Sequence, residues 1–377
     1  MTPFAPAEFR ARVDRAQLRM AALGLGGLLL TTEPEVRYFT GFLTRFWESP
    51  TRPWFLLIPA QGDPVAVIPA IGEPVMRRTW ITDIRTWRAP DLVDDGIGLL
   101  IDTIREIIGT APVGLPDGHE THVRMPQADL ARLASVVTIT GDGGILRALR
   151  MIKSEPEIAL IREACAIAER AFARVPEIAR PGTPLARVFR DFQRLCLEEG
   201  ADWVPYLAGG AGPLGYDDVI SPATEAPLAS GDVLMLDTGL VHQGYFCDYD
   251  RNFALGRPDP RVVDAHARLL DATAAAFEMA RPGATAADLF HAMDKVLTGG
   301  AGGSDAGRYG HGLGMSLTEW PSLIPADHTV LMPGMVLTIE PSIATANGCL
   351  LVHEENIVIR DGAPEILTRV PDTLPVI

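Results

Sequence analysis

The chain is 377 residues long and carries 48 acidic against 33 basic side chains, a formal net charge of −15. With 47% hydrophobic and 21% charged residues it has a globular composition and enough length for two domains, which excludes a disordered, collagen-like or coiled-coil chain. The acidic balance argues against nucleic acid or an anionic membrane surface as partner, since both reward clustered Lys and Arg.

Four cysteines (Cys165, Cys196, Cys247, Cys349) stand far apart with no CxxC pair, which speaks against a disulfide scaffold or zinc ribbon and for a reducing cytoplasm. The N-terminus has no basic segment followed by an apolar one, so no signal peptide is expected. The apolar run Leu23–Leu30 is too short to span a bilayer.

The first 151 residues alternate between short apolar runs and amphipathic helices, the pattern of an α/β layer domain. A helix is predicted over Ala7–Leu23, a strand over Gly26–Thr32 and a short helix over Pro34–Gly41. Two apolar strands, Trp54–Ala60 and Pro64–Ala70, flank a turn containing Gly62. Strand-like Ile81–Trp87, helical Ile97–Ile108, strand-like Pro112–Asp117 and helical Met125–Ser135 follow.

A second domain is expected over 152–377. It opens at a Ser154-Glu-Pro-Glu cap with one long helix reaching about Ala179. An internal duplication then becomes visible. Arg180-Pro-Gly182 and Arg281-Pro-Gly283 lie 101 residues apart, each ahead of a helix with Phe at the same distance (Phe189, Phe290). The runs Gly231–Asp237 and Gly334–Glu340, offset by 103, each read as a glycine turn, an apolar strand and a carboxylate. A further carboxylate follows in each half, Asp248 and Glu354. A period near 100 is too long for a solenoid and suits two fused half-domains whose four acids converge at the seam.

A carboxylate closing an apolar strand needs a partner, because burying it alone costs several kcal/mol. Asp248 lies in the strand-like Tyr245–Phe253, where alternation would put Phe246, Asp248, Asp250 and Asn252 on one face. His311 stands between Gly310 and Gly312, which allow close backbone approach. The Gly310-x-Gly-x-Gly314 spacing lacks the strand–loop–helix context and lysine of a phosphate loop. The other histidines are expected in structural positions, with His353 on the face opposite Glu354.

The segments around Asp237-Thr-Gly239, Tyr245–Arg251, Gly310–Gly314, Glu319-Trp-Pro321, Thr338–Ser342 and His353–Ile359 together resemble the pita-bread metallohydrolases. Those include methionine and Xaa-Pro aminopeptidases, prolidases and creatinase. The layout, an α/β creatinase-type N-terminal domain before an α+β pita-bread domain with a pseudo-twofold, resembles the creatinase/prolidase branch over nearly the whole chain. The resemblance implies that Asp237, Asp248, His311, Glu340 and Glu354 bind two divalent ions. Asp248 and Glu354 would bridge them, Asp237 would complete one site, and His311 with Glu340 the other. Glu340 would also shuttle protons. Mn²⁺ is the first expectation, with Fe²⁺, Co²⁺ or Zn²⁺ compatible with this oxygen-rich ligand set. Two such ions about 3.5–4 Å apart lower the pKa of a shared water and stabilise the developing oxyanion.

Three positions depart from the peptidase pattern. Thr318 stands where a second histidine is usual, a residue near Ile220 where another is expected, and Val352 where an arginine often precedes the last glutamate. The first expectation is a hydrolase of a small peptide or amide C–N bond, similar to Xaa-Pro dipeptidases and aminopeptidases. Alternatives are a non-peptide hydrolase or lyase of the same fold, similar to ectoine hydrolase, creatinase or a sulfoniopropionate lyase, and a non-catalytic binding protein. Tyr206, Tyr216, Thr318, Glu319 and Trp320 are expected to line the substrate pocket. The turn holding Arg45 and Trp47 would, by the resemblance, reach a neighbouring active site in a homodimer.

Overall fold

The computed structural model describes residues 4–49, 53–302 and 307–377. The chain divides into two compact units, Met1–Arg150 and Met151–Ile377.

The first unit is built on a six-stranded mixed sheet of order β4-β3-β2-β1-β5-β6. Its strands are β1 (Gly27–Leu30), β2 (Phe55–Pro59), β3 (Val65–Pro69), β4 (Asp83–Trp87), β5 (Val113–Leu115) and β6 (Ile139–Gly141). β2 and β3 form the antiparallel hairpin, while β1, β5 and β6 run parallel. The helices are α1 (Pro6–Leu23), α2 (Glu33–Thr40), α3 (Glu73–Met76), α4 (Ile97–Ile107), α5 (Gln127–Ala134) and α6 (Ile145–Met151). α4 shows why the pattern folds this way. Ile97, Leu100, Ile101 and Ile104 recur at helical spacing and bury one stripe against Leu29, Phe55, Leu57 and Val67 of the sheet.

In the second unit the expected long helix divides into α7 (Glu155–Ala173) and α8 (Val175–Ile178). Pro176 causes the division: it has no N–H to donate, and its ring excludes the carbonyl four residues back. α9 (Leu185–Glu199), α10 (Pro260–Met279) and α11 (Ala286–Thr298) complete the helices.

The duplication is carried in the main chain. Leu185 N donates to the Ala226 carbonyl and Gly182 N to that of Leu228; in the second half Ala286 N donates to Thr329 and Gly283 N to Leu331. Gly231 and Gly334, at φ +96° and +89°, make the same turn before each central strand.

The first half contributes a sheet of order β10-β8-β7 from β7 (Trp203–Gly212), β8 (Val233–His242) and β10 (Tyr249–Ala254), with β9 (Tyr245–Phe246) also on β8. The second half contributes β12-β11-β13-β16-β17 from β11 (Gly310–Gly312), β12 (Glu319–Ser322), β13 (Val336–Ile339), β16 (Glu355–Val358) and β17 (Glu365–Ile366). A separate ribbon pairs β14 (Ser342–Ala344) with β15 (Leu350–Val352). α7 backs the first sheet, where Phe172 packs 5.2 Å from Tyr249, and α10 and α11 share a core with β8, β13 and β16. The predicted strand Tyr245–Phe253 is interrupted at Cys247 and Asp248, so its one-face alternation does not run through. No helix among the described residues is long and apolar enough to cross a membrane.

Candidate metal centre

The four expected acids occupy three kinds of position. Asp237 lies within β8, opposite Asp250 of β10. Asp248 falls in the gap between β9 and β10, and Glu354 in the gap between β15 and β16. Glu340 follows β13 directly, its N–H donating to the Tyr309 carbonyl at 3.0 Å. His311 is the middle residue of β11, opposite Thr338. Its approach depends on Gly310, whose φ of +133° and 2.2 Å gap between an added Cβ and the Thr338 carbonyl leave no room for a side chain.

The structure brings these side chains together. Ligand atoms of Asp248, His311 and Glu354 lie within 4.8 Å of one another, all three residues buried. Asp237 is also buried and Glu340 half-buried. Burial pushes the Asp237 carboxyl up to about 6, against the opposing effect of the Tyr206 hydroxyl. Burial together with the Asp237 charge raises Glu340 to about 7. Asp248 and Glu354 are raised well above the carboxylate range, by burial first and next by a neighbouring charge, Asp237 for Asp248 and Asp248 for Glu354. Such a set holds either shared protons or cations.

The orientation of the donors favours cations. Asp237 Oδ1 is buried without a hydrogen-bond partner, while Oδ2 accepts from the Tyr206 hydroxyl at 2.9 Å. His311 Nδ1 sits 2.9 Å from the Gly312 carbonyl and Nε2 3.4 Å from Asp248 Oδ2. Burial and the nearby Arg308 charge lower the imidazole to about 3, so it is neutral and can offer Nε2 as a ligand.

The expected substrate residues divide. Tyr206 is half-buried and touches Asp237 directly. Thr318 and Trp320 are half-buried, and the Thr318 hydroxyl accepts from Arg308 Nη2 at 3.3 Å. Tyr216 instead belongs to the core, its hydroxyl between Asn252 Oδ1 (3.2 Å) and Val352 N (2.7 Å). Glu319 is buried in an ion pair with Lys153 at 3.1 Å and also accepts from the Met315 and Ser316 amides, which makes it a loop brace. In the first unit Trp47 is buried against Phe42 and Trp54 beneath the Arg124 guanidinium. Arg45 is exposed and paired with Glu48 at 3.4 Å.

Arg308 belongs to no motif, yet its charge acts on Asp248, His311 and Glu340. Its one sequence signal is its place three residues before His311. Thr338, whose hydroxyl lies 2.5 Å from Glu354 Oε1, and Asn356, which holds the Asp248 amide, are likewise singled out by no motif.

The model of metallopeptidase family M24 matches residues 159–361, and that of the creatinase/prolidase N-terminal domain matches residues 12–152. The probable dipeptidase PepE of Mycobacterium tuberculosis is 32% identical over 381 aligned positions, covering 96% of this chain and 98% of its own. An Xaa-Pro dipeptidase of Pyrococcus horikoshii is 30% identical over 244 positions, 64% of this chain and 69% of its own. Among solved structures, dipeptidase PepE from Mycobacterium ulcerans superposes with a TM-score of 0.83 at 28% identity over 99% of both chains. A prolidase from Thermococcus sibiricus shares the fold, with a TM-score of 0.85 at 22% identity over 98% of this chain and 99% of its own.

Proposed function

The chain belongs to metallopeptidase family M24, with a creatinase/prolidase N-terminal domain before a pita-bread domain, and from that premise we propose that this peptidase-type hydrolase is a two-metal dipeptidase. The observation that carries the reading is the convergence of Asp248, His311 and Glu354 within 4.8 Å, beside an Asp237 oxygen that has no partner. Asp248 and Glu354 would be shared between the ions, Asp237 would serve one, and His311 with Glu340 the other. Mn²⁺ is the first candidate, followed by Fe²⁺, Co²⁺ and Zn²⁺.

Bound ions would polarise the scissile carbonyl and make water a competent nucleophile at neutral pH. The protein side chains supply the rest. Tyr206 holds one Asp237 oxygen and leaves the other turned inward. Glu340, the only half-buried member of the five, would take a proton from water and return it to the leaving amine, a role its partial exposure supports. Arg308, directed by Thr318, provides a cation for a substrate carboxylate, a function that Val352 cannot supply. That supports a short peptide with a free C-terminus, Xaa-Pro dipeptides among them. In a homodimer, exposed Arg45, paired with Glu48, would be the one of the two expected residues to reach a neighbouring subunit, since Trp47 is buried.

Thr318 in place of histidine keeps a non-peptide C–N substrate as the second reading. The deciding experiment is metal analysis joined to a substrate panel of Xaa-Pro and other dipeptides, their amides and cyclic amides. About two ions per chain and turnover of free-acid dipeptides are expected. Asp248→Ala and His311→Ala should lose both metal and turnover, and Arg308→Ala should raise KM for free acids more than for amides. Full activity of metal-free protein would end the two-metal reading, and turnover of non-peptide amides alone would favour the second.

A further inference from the structure

Two residues beyond each shared carboxylate stands a side chain that crosses the seam between the halves. Asp250, two past Asp248, accepts the Glu354 N–H at Oδ1, 3.3 Å away. Asn356, two past Glu354, accepts the Asp248 N–H at Oδ1, 3.1 Å away. Asp248 to Glu354 and Asp250 to Asn356 are both steps of 106 residues, so this exchange follows the internal duplication.

The need for it lies in the strand gaps. Asp248 and Glu354 both sit between strands, where no neighbouring strand takes up their amides. A buried N–H must find an acceptor somewhere, and here each finds it in the opposite half. Asp250 and Asn356 are themselves inside strands, opposite Asp237 and Thr338, and are fully buried. Ladder hydrogen bonds therefore fix both braces, and the braces fix the ligands.

The two ends are not equivalent. The Asn356 amide is used at both atoms: Nδ2 donates to the Asp248 carbonyl, and Oδ1 also receives the Cys165 thiol at 3.3 Å. The Thr338 hydroxyl adds a contact of 3.2 Å to that carbonyl. Asp250 uses one oxygen, and its Oδ2 is buried without a partner.

We propose that Asp250 and Asn356 are reciprocal positioning residues, each fixing the main chain of the other half's shared carboxylate, so that the spacing of Asp248 and Glu354 is set by side chains across the seam. The importance of this spacing for metal rests on the two-metal reading above; the cross-over itself does not. Asp250 acts as an acceptor and not through its charge, whereas Asn356 needs both acceptor and donor.

Amide hydrogen exchange on metal-free full-length protein tests the cross-over directly. Asp250→Ala should speed exchange at Glu354, and Asn356→Ala should speed it at Asp248, each by at least about tenfold relative to the other site. Asp250→Asn keeps the acceptor and should leave Glu354 protected. Asn356→Asp sets a carboxylate against the Asp248 carbonyl and should deprotect Asp248. Calorimetric Mn²⁺ titration of the same variants should show Asp250→Asn near the wild type and the other three about 10–100-fold weaker for at least one ion. Faster exchange in each variant's own half, uniform acceleration, or Asp250→Asn behaving like Asp250→Ala would overturn the proposal. Wild-type protein that keeps the crosswise pattern yet binds no metal would remove the two-metal reading and leave the brace standing.

Discussion

The two halves of the second unit share a main-chain plan but place their acids differently. In the first half Asp237 is held inside a ten-residue strand, flanked by ladder partners and capped by Tyr206. In the second half the equivalent strand is four residues long, and Glu340 lies just past its end, half-buried. Only the second half supplies an imidazole. The difference teaches that a duplicated frame can divide labour: on the proposed reading the first half would provide rigid, enclosed ligation, while the second would offer the more accessible carboxylate, Glu340, beside His311.

The sharpest way to break this comparison is to neutralise one acid from each half. Glu340→Gln should lower kcat by about 10²–10⁴-fold. Its loss of metal, measured by elemental analysis after dialysis, should be smaller than that of Asp237→Asn. Equal metal loss in both variants would erase the division of labour. A milder probe is Tyr206→Phe, which leaves Asp237 Oδ2 without its donor; metal affinity should fall about 10-fold, within the range for groups that orient a ligand. An unchanged affinity would show that the strand alone positions Asp237.

The smallest effect is one of pH. With Glu340 raised to about 7 and Asp237 to about 6 in the metal-free protein, both carry protons below those values. A ligand must lose its proton to bind, so metal uptake should release protons and weaken as pH falls from 7 through 6. Mn²⁺ titrations in buffers of different ionisation enthalpy should reveal that release, and no buffer dependence would contradict it.

Much of this was legible in the sequence because it is local or repeated. Glycine turn, apolar strand and carboxylate recur at fixed spacing, and of the five expected ligands the structure brings Asp248, His311 and Glu354 within 4.8 Å of one another. The helix break has a local signal too, since Pro176 overrides the apolar periodicity around it. Other features had no local signal. The gap at Asp248 is maintained by Asn356, 108 residues away, and no alternation rule foresees it. Tyr216 stands in a glycine-rich segment that reads as an open loop, yet an isolated bridge to Leu350 draws it into the core. Trp47 reads as an exposed turn aromatic until Trp54 and Phe42 are seen around it.

The Lys153–Glu319 pair sets a limit on how this protein can be cut. Both side chains are 2% exposed, and Lys153 precedes the Ala159 at which the M24 match begins. A fragment starting at Ala159 would retain every candidate ligand but leave Glu319 as a buried anion without its cation, a loss of about 3–5 kcal/mol. Electrostatics thus extends the smallest self-sufficient piece of the second unit upstream of where family similarity begins, at least as far as Lys153.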